Sequence, residues 1–413
     1  MSSARPARHN FSLLCVGQLV TQFGDSVFHI GLLWLALELT GSKSISGIIV
    51  AAGFMPAILL SLFAGVVVDR VDRRKLMIFC ALLQAAVVAC VPLLDHFNLL
   101  SGFFLALVAF GLATGAAFFN PARDALVPHL VPADRLNRAN SLVQVSAQIA
   151  FLAGPAAAGI LVTVVGTIGL FAIDAGTFLF SAVTLMLIRM PRTTTARLEA
   201  SPAPLPQIPP VAGGTIAEIK DGLHRAMNDP RLRGLLFITA VDNLIIMGPA
   251  MLGIPIYVRE ILKLNVDSYA LIIGAFFIGM IVSSLIIGVK GRNWPKGKLI
   301  VIGMILDGIT FIPFFFIRDF SIACLAMFIH GLTVPLITVP RTTLIHEIVP
   351  DDLRGRIFAL VNVAVVGFTA LSMILTGFAC DWLADIDEIY LWIGILGAIC
   401  GIFGTRFKAF WNA

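Results

Sequence analysis

An all-α membrane protein of twelve transmembrane helices, arranged as two pseudo-symmetric six-helix bundles, is the fold class this sequence predicts. Three observations carry that expectation: a large apolar excess, a ladder of apolar runs of membrane-crossing length, and an internal repeat. Of 413 residues, 58% are hydrophobic and 13% charged, against about a quarter charged in soluble domains, and the mean hydropathy is +0.96. A soluble core has no room for so much apolar surface. Twelve spans of about 20 residues need about 240 apolar-rich positions, and the hydrophobic content supplies about that many.

The first run, 11–39, follows ten residues carrying Arg5, Arg8 and His9 and has no small-residue cleavage site, so a retained first helix is expected. Charged or Pro/Gly breaks then delimit 45–68, 75–94, 99–120, 141–166 and 168–188. A second set follows at 232–258, 268–289, 298–317, 320–339, 356–380 and 388–408. Between the sets lie Pro191, Pro202, Pro204, Pro206, Pro209 and Pro210, and a charged amphipathic stretch from Thr215 to Asp229. The expected division is therefore an N-terminal bundle (1–188), a cytoplasmic linker with a short surface helix (189–230) and a C-terminal bundle (231–413).

The net charge of +5 raises the question of nucleic acid, and the placement of the basic residues answers it. Alternating the connections of the ladder puts 25 of the 29 Lys and Arg on one side, leaving Lys43, Arg259, Lys263 and Arg318 on the other. By the positive-inside bias both termini and the central linker are cytoplasmic, in a multi-pass inner-membrane protein, and no nucleic-acid partner is expected. Every Lys and Arg falls at an expected helix end or in a loop, which favours neutral or cationic substrates over strongly anionic ones.

A shift of 218 residues superimposes Arg123, Leu126, Val131, Pro132, Asp134 and Arg138 on Arg341, Leu344, Val349, Pro350, Asp352 and Arg356. It also sets Gln144 on Asn362, and Asp25 beside Asp242 and Asn243. Weak internal symmetry of this kind is expected of transporters whose site lies between two repeats.

After the second run comes Gly65-Val-Val-Val-Asp69-Arg70-Val-Asp72-Arg73-Arg74-Lys75. Gly65 permits close helix approach, and Asp69 and Arg73 at i, i+4 have the spacing of a charge network, so a gate latch at the cytoplasmic mouth is expected. The alternative is that these charges only follow the topology bias. This loop resembles the signature loop of the major facilitator superfamily, with Asp72 where that pattern has Gly. Asn120-Pro121-Ala122-Arg123-Asp124-Ala125-Leu126-Val127-Pro128 resembles the corresponding segment of its macrolide-efflux and enterobactin-exporter branch of drug–proton antiporters. The resemblance covers nearly the whole chain in layout and is specific in these two loops. It implies the major facilitator fold, with Arg123 and Asp124 joining Gly65, Asp69, Arg70, Arg73 and Arg74 at the cytoplasmic gate. Gly154-Pro155-Ala-Ala-Ala-Gly159 resembles the glycine–proline element of antiporter members, and Pro155 between small residues is a candidate helix bend.

On the first span Gln18, Gln22, Asp25 and His29 share one face, while Gly17, Gly24 and Gly31 form another. One face is read as lining a watery cavity, the other as packing on a neighbour. Asp25 and Asp242 sit near the middle of their spans, where a carboxylate is costly and functional by default. They are candidates for proton coupling or substrate contact. The competing reading satisfies Asp25 with His29 or Gln22, and Asp242 with Asn243 or Thr239. Gln144, Gln148 and Asn362 add neutral polar groups to the cavity. Asp174 and Asp307 are read as structural, and His330 as a packed hydrogen-bonding residue. The six cysteines, Cys15, Cys80, Cys90, Cys324, Cys380 and Cys400, have no metal-ligand spacing and are read as packed thiols; no metal or cofactor is expected.

The functional expectation is a secondary active exporter of a lipophilic neutral or cationic small molecule, running by proton antiport with alternating access and working as a monomer in the bilayer. Export of an endogenous siderophore, flipping of a lysolipid, and a non-transporting sensor on a transporter scaffold stay open. An enzyme is not expected, because no nucleophile, base and orienter set is present.

Overall fold

The computed structural model describes residues 4–132, 135–188, 223, 224, 226–291, 294–383 and 385–411. These residues are nearly all helical, with no strand among them. The N-terminal set is α1 (Ala4–Thr40), α2 (Lys43–Ala52), α3 (Met55–Leu59), α4 (Ser61–Arg70), α5 (Arg73–His96), α6 (Gly102–Leu130) and α7 (Leu136–Leu187). The C-terminal set is α8 (Pro230–Ile245), α9 (Val266–Lys290), α10 (Lys296–Phe311), α11 (Phe320–Ile348), α12 (Asp351–Trp382), α13 (Ile386–Gly404) and α14 (Lys408–Trp411). Among the described residues, ten helices are long and apolar enough to cross a membrane, or eleven if Lys43–Leu59 and Phe63–Arg70 form one bent span. Gly166 splits α7 at φ 71°, a left-handed turn that glycine adopts without strain. The arm before it, 136–165, takes the place of the expected 141–166 span, so the elements are consistent with twelve. The expected linker helix lies outside the described residues except at 223, 224 and 226–229.

The helix starts follow local chemistry. Asp72 has extended backbone and its carboxylate accepts the Lys75 N–H at 2.8 Å, capping α5. The residue that departs from the family's glycine is thus a helix cap. Asp229 caps α8 through the Arg231 N–H, with Pro230 at the first helical position. Asp319 accepts the N–H groups of Ser321 and Ile322 to start α11. Beyond α8 the chain continues as π turns at Pro249–Gly253 and Tyr257–Ile261, as expected where prolines 249 and 255 disrupt the α ladder.

Two helices run further than the sequence suggests. The fourth and tenth spans were expected to end near 120 and 339, but α6 continues to Leu130 and α11 to Ile348. Buried Ala122, Leu126, Val127 and Leu130 on α6, and buried Leu344 and Ile345 on α11, hold an apolar stripe in helical register past Pro121, Pro128, Pro335 and Pro340. Arg123 and Arg341 therefore stand inside continuous helices. The expectation that every basic residue lies at a helix end or in a loop is corrected at these two positions.

The chain forms two compact units: Met1–Leu35 with Ala52–Pro209, and Ala36–Ala51 with Pro210–Ala413. One cluster of the first unit gathers Leu14, Val68, Met77, Phe119, Leu126 and Leu130 with Leu185. Its counterpart in the second gathers Leu232, Leu235, Ile300, Met304, Leu344 and Val349 with Phe410. Leu126 and Leu344, partners under the 218-residue shift, each sit in their unit's core, so the repeat is structural as well as textual. Large apolar side chains also crowd the outside, among them Phe103, Val164 and Val289, as lipid-facing positions require.

Inside the second unit, residues 36–51 are tied down by polar contacts. The Asp381 carboxylate on α12 accepts the Ser42 hydroxyl (2.8 Å) and the N–H groups of Lys43 (3.1 Å) and Ser44 (2.8 Å), capping α2 from a distant part of the chain. Lys43 pairs with Glu260 at 2.7 Å, and Arg318 pairs with Asp387. These residues come from connections that the ladder places on one side. Lys296 and Glu347, paired at 3.1 Å, come from connections on the other. Of the cysteines, Cys80 and Cys380 are buried as expected for packed thiols, whereas Cys90 is exposed.

Candidate functional site: two buried polar clusters

In the first unit, α1 offers two faces. A methyl group on Gly17 would overlap the Thr184 hydroxyl, and one on Gly24 would overlap Thr177 Oγ1 and Asp174 Oδ1. At Gly31 a Cβ would stand 3.2 Å from the Phe171 ring. The glycine face thus packs against the second arm of α7, through glycines spaced seven apart on α1. This contact puts Asp174, buried at 0% exposure, against α1 next to Asp25, within electrostatic reach of it. Thr177 donates to Asp174 Oδ1 at 3.2 Å, and Asp174 Oδ2 has no partner.

The polar face of α1 meets other helices. Arg123 on α6 donates to Gln18 Oε1 at 3.0 Å while its other nitrogens hold Asp124 at 2.9 Å. A residue assigned to the gate and one assigned to the cavity are therefore bonded to each other. Gln18 is buried, Gln22 and Asp25 are half-buried, and His29 is exposed against the edge of Phe28. Gln22 Oε1 has no partner. Ser26 donates to the Ala150 carbonyl at 3.2 Å, and Gly154 lies so close to Ser26 that a Cβ would overlap it. Gly154 is a close-packing position here and Gly159 is buried; α7 leaves helical geometry at Gly166, between the two expected spans. Gln144 and Asn362 are exposed, and Gln148 lies on α7.

Around the signature loop, Arg73 reaches the Ala125 carbonyl (3.4 Å) and the His129 ring, and Arg74 donates to the carbonyls of Leu185 (2.8 Å) and Met186 (2.6 Å). The basic pair thus fastens the start of α5 to the ends of α6 and α7. Asp69 and Arg70 are exposed, and among the described residues nothing lies within 4 Å of a Cβ built on Gly65.

In the second unit, Asp242 and Asn243 are both 4% exposed on α8, about two turns before the first π turn. Asn243 is satisfied: its amide donates to the Thr239 carbonyl at 2.8 Å and its oxygen accepts from Thr369 at 3.2 Å. Asp242 Oδ1 has no partner. Asp242 lies within electrostatic reach of Asp307 on α10 and of half-buried Arg341 on α11. Asp307 accepts the Thr333 hydroxyl at 2.7 Å and stands 3.4 Å from His330 Nδ1. The sequence reading took Asp174, Asp307 and His330 one at a time. Their partners on other helices, 20 or more positions away in the chain, could not be read from spacing on a single helix.

Buried acids, unpartnered oxygens and helix-embedded arginines in a bilayer-spanning bundle are the equipment of a membrane transporter. Residues 1–402 match the family described as transmembrane secretion effector. The chain belongs to that family, within the major facilitator superfamily. Macrolide efflux protein A of Streptococcus pyogenes is 24% identical over 379 residues, covering 90% of this chain and 89% of that protein. The multidrug efflux pump Tap of Mycolicibacterium fortuitum is 24% identical over 380 residues, covering 89% and 88%. The fold matches the nucleoside transporter NupG (TM-score 0.78, 10% identity, 97% of this chain and 99% of that one). It also matches a bacterial homologue of the lysosomal transporter Spinster (TM-score 0.75, 12% identity, 100% and 98%). This family member is a multi-pass transporter of the major facilitator class, with a small-molecule substrate.

Proposed function

We propose that this transporter is a secondary active exporter of a lipophilic small molecule, neutral or cationic, driven by inward proton flow across the cell (inner) membrane, with both termini cytoplasmic. The observation that carries the reading is the pair of acids on the repeat-related helices, Asp25 on α1 and Asp242 on α8, set in a chain whose full-length relatives are named for macrolide and multidrug efflux. A carboxylate inside a bilayer is expensive to keep ionised, so binding and releasing a proton is the natural way for such a residue to couple to a gradient. Protonation of Asp25 accompanies substrate release outward, and deprotonation toward the cytoplasm resets the carrier. The basic residues around Arg73, Arg74 and Arg123 close the cytoplasmic mouth, while the Asp381 cap and the Lys43–Glu260 pair hold residues 42–44 at the opposite face.

A second reading, export of an endogenous product with anionic groups such as a siderophore, gains support from Arg123 and Arg341 standing inside helices. Uptake of fluorescent lipophilic dyes into inverted vesicles, with and without an imposed proton gradient, separates the two. Gradient-driven dye flux that is lost in Asp25→Asn supports the drug–proton reading. Dye flux that is absent in the wild type, with flux of a catecholate siderophore present, supports the second.

A further inference from the structure

The C-terminal unit holds a polar group that the reading above does not use. His330 is 2% exposed and Asp307 1% exposed, both deep among aromatic rings. Phe276 stacks on the His330 ring with centroids 5.4 Å apart at 27°, and Phe311 approaches it at 4.5 Å and 60°. His330 Nδ1 stands 2.9 Å from Thr310 Oγ1 and 3.4 Å from Asp307 Oδ1.

The two hydroxyls give this group an unusual property. Thr310 Oγ1 is 2.8 Å from the Asp307 backbone carbonyl as well as 2.9 Å from His330 Nδ1. With Nδ1 bare, the Thr310 hydrogen is donated to the ring. With Nδ1 protonated, the ring donates to Thr310, and the hydroxyl turns its hydrogen to the carbonyl. Thr333 has the same choice between Asp307 Oδ1 (2.7 Å) and the His330 carbonyl (2.7 Å). Nδ1 and Oδ1 therefore keep a partner whether or not they carry the proton, where a buried orphan would cost about 1–3 kcal/mol. The flanking aromatic faces suit an imidazolium.

We propose that His330, Asp307, Thr310 and Thr333 form a proton-binding site inside the C-terminal unit, distinct from Asp25, with Asp242 as the neighbouring carboxyl that exchanges the proton with Asp307. The unpartnered Asp242 Oδ1 is the acceptor left open for that exchange. Among the described residues, the charged and titratable groups facing the site are Asp242 from α8, Arg341 from α11 itself and, across Phe311, Tyr390 from α13, with Tyr257 and α9's Tyr269 beyond it; α9 places the Phe276 ring on His330. With Arg341 countering one of the two carboxylates, the group takes up one proton, on His330 or on Asp307, and gives it back with no rearrangement beyond rotation of the Thr310 and Thr333 hydroxyls. As a step in transport this inference rests on the proton-antiport reading; as a binding site it does not.

The test uses the full-length protein in lipid nanodiscs. Infrared difference spectra across a pH titration, in H2O and D2O, are recorded for wild type, Asp307→Asn, His330→Gln and Thr310→Val, with gradient-driven dye flux measured on the same variants in vesicles. Loss of a protonated-carboxyl band in Asp307→Asn, loss of an imidazole band in His330→Gln and a midpoint moved by about one pH unit in Thr310→Val establish the site. Thr310→Val keeps both titrating groups, so it decides the matter if either of the other variants fails to fold. Spectra of the folded variants that superimpose on wild type overturn the proposal, even where gradient-driven flux persists and the antiport reading stands. Variant-sensitive bands in a protein with no gradient-driven flux keep the proton site and remove the antiport reading.

Discussion

The two units place an arginine at the same point of the repeat and surround it differently. Arg123 is occupied, held by Asp124 and bonded to Gln18, whereas Arg341 lies within electrostatic reach of Asp242 on α8. The acid pairs differ likewise. Asp25 and Asp174 meet where glycines let two helices touch, with a single threonine donor in view. Asp307 and His330 sit among two threonines and two aromatic rings. A shared helical frame thus leaves each half free to carry its own buried chemistry, so the halves should respond differently to equivalent substitutions.

The largest contrast concerns glycine. A Cβ on Gly331 would overlap the Phe276 backbone carbonyl, which cannot turn aside, while one on Gly24 would meet the side chains of Thr177 and Asp174. Gly331→Leu is expected to abolish folding of the C-terminal unit, read as loss of a monodisperse peak in detergent. Gly24→Ala, where rotamers can yield, is expected to cost about 1–3 kcal/mol in thermal unfolding. Gly65→Ala, with open space around it, should fall within about 0.5 kcal/mol of wild type. Equal loss at Gly24 and Gly331 would mean that the side chains around α1 are as rigid as backbone.

Next comes the arginine pair. Arg341→Gln leaves Asp242 without its cationic neighbour and is expected to lower gradient-driven efflux about tenfold, which corresponds to about 1.4 kcal/mol. Arg123→Gln retains a donor for Gln18 and loses mainly the exposed Asp124 contact, so an effect about threefold or less is expected on the same assay. A reversed order would show that the gate, rather than the buried acid, depends on its arginine.

How far the sequence reveals these differences depends on the range of the signal. Span positions were legible because each is a continuous apolar run, and the packing face of α1 was legible because Gly17, Gly24 and Gly31 recur at intervals of seven. The ends of α6 and α11 were not, since Pro121 and Pro340 stand at the expected ends of those spans while the buried stripe that carries the helices past them shows only against its neighbours. Asp25 and Asp242 stood out as isolated acids in apolar runs. The partnership of Asp307 with His330, 23 positions on, requires two helices in contact, as does the Asp381 cap on residues 42–44. Pairings across helices carry no local pattern, and that is where the sequence reading stopped.

Asp381 offers a smaller effect at one end of the second unit. Its carboxylate satisfies three donors at the start of α2, so Asp381→Ala is expected to cost about 0.5–2 kcal/mol, in the range of a lost helix cap. Lys43→Ala removes a partly exposed ion pair with Glu260 and should cost less, about 0–1 kcal/mol. Thermal unfolding of both variants checks the order. A larger loss from Lys43→Ala would make the ion pair to the Tyr257–Ile261 turn, not the Asp381 cap on α12, the main tie that holds residues 42–44.

The smallest contrast is between two caps of the same chemistry, Asp72 on α5 and Asp229 on α8. Each accepts a backbone N–H at 2.8 Å, so alanine at either should cost about 1 kcal/mol. Asp229 differs in its titration. Burial pushes its carboxyl up, but the side-chain and backbone hydrogen bonds from Arg231 outweigh this and hold it below the ordinary carboxylate value. A carboxyl depressed in the folded state contributes its stability above the unfolded value, about 3.9, and loses it as pH falls through the folded value. The cost of Asp229→Ala at neutral pH should therefore shrink steadily below about pH 4. A cost that stays constant through that range would mean that the cap acts through helix geometry alone, with the Arg231 guanidinium contributing nothing to the start of α8.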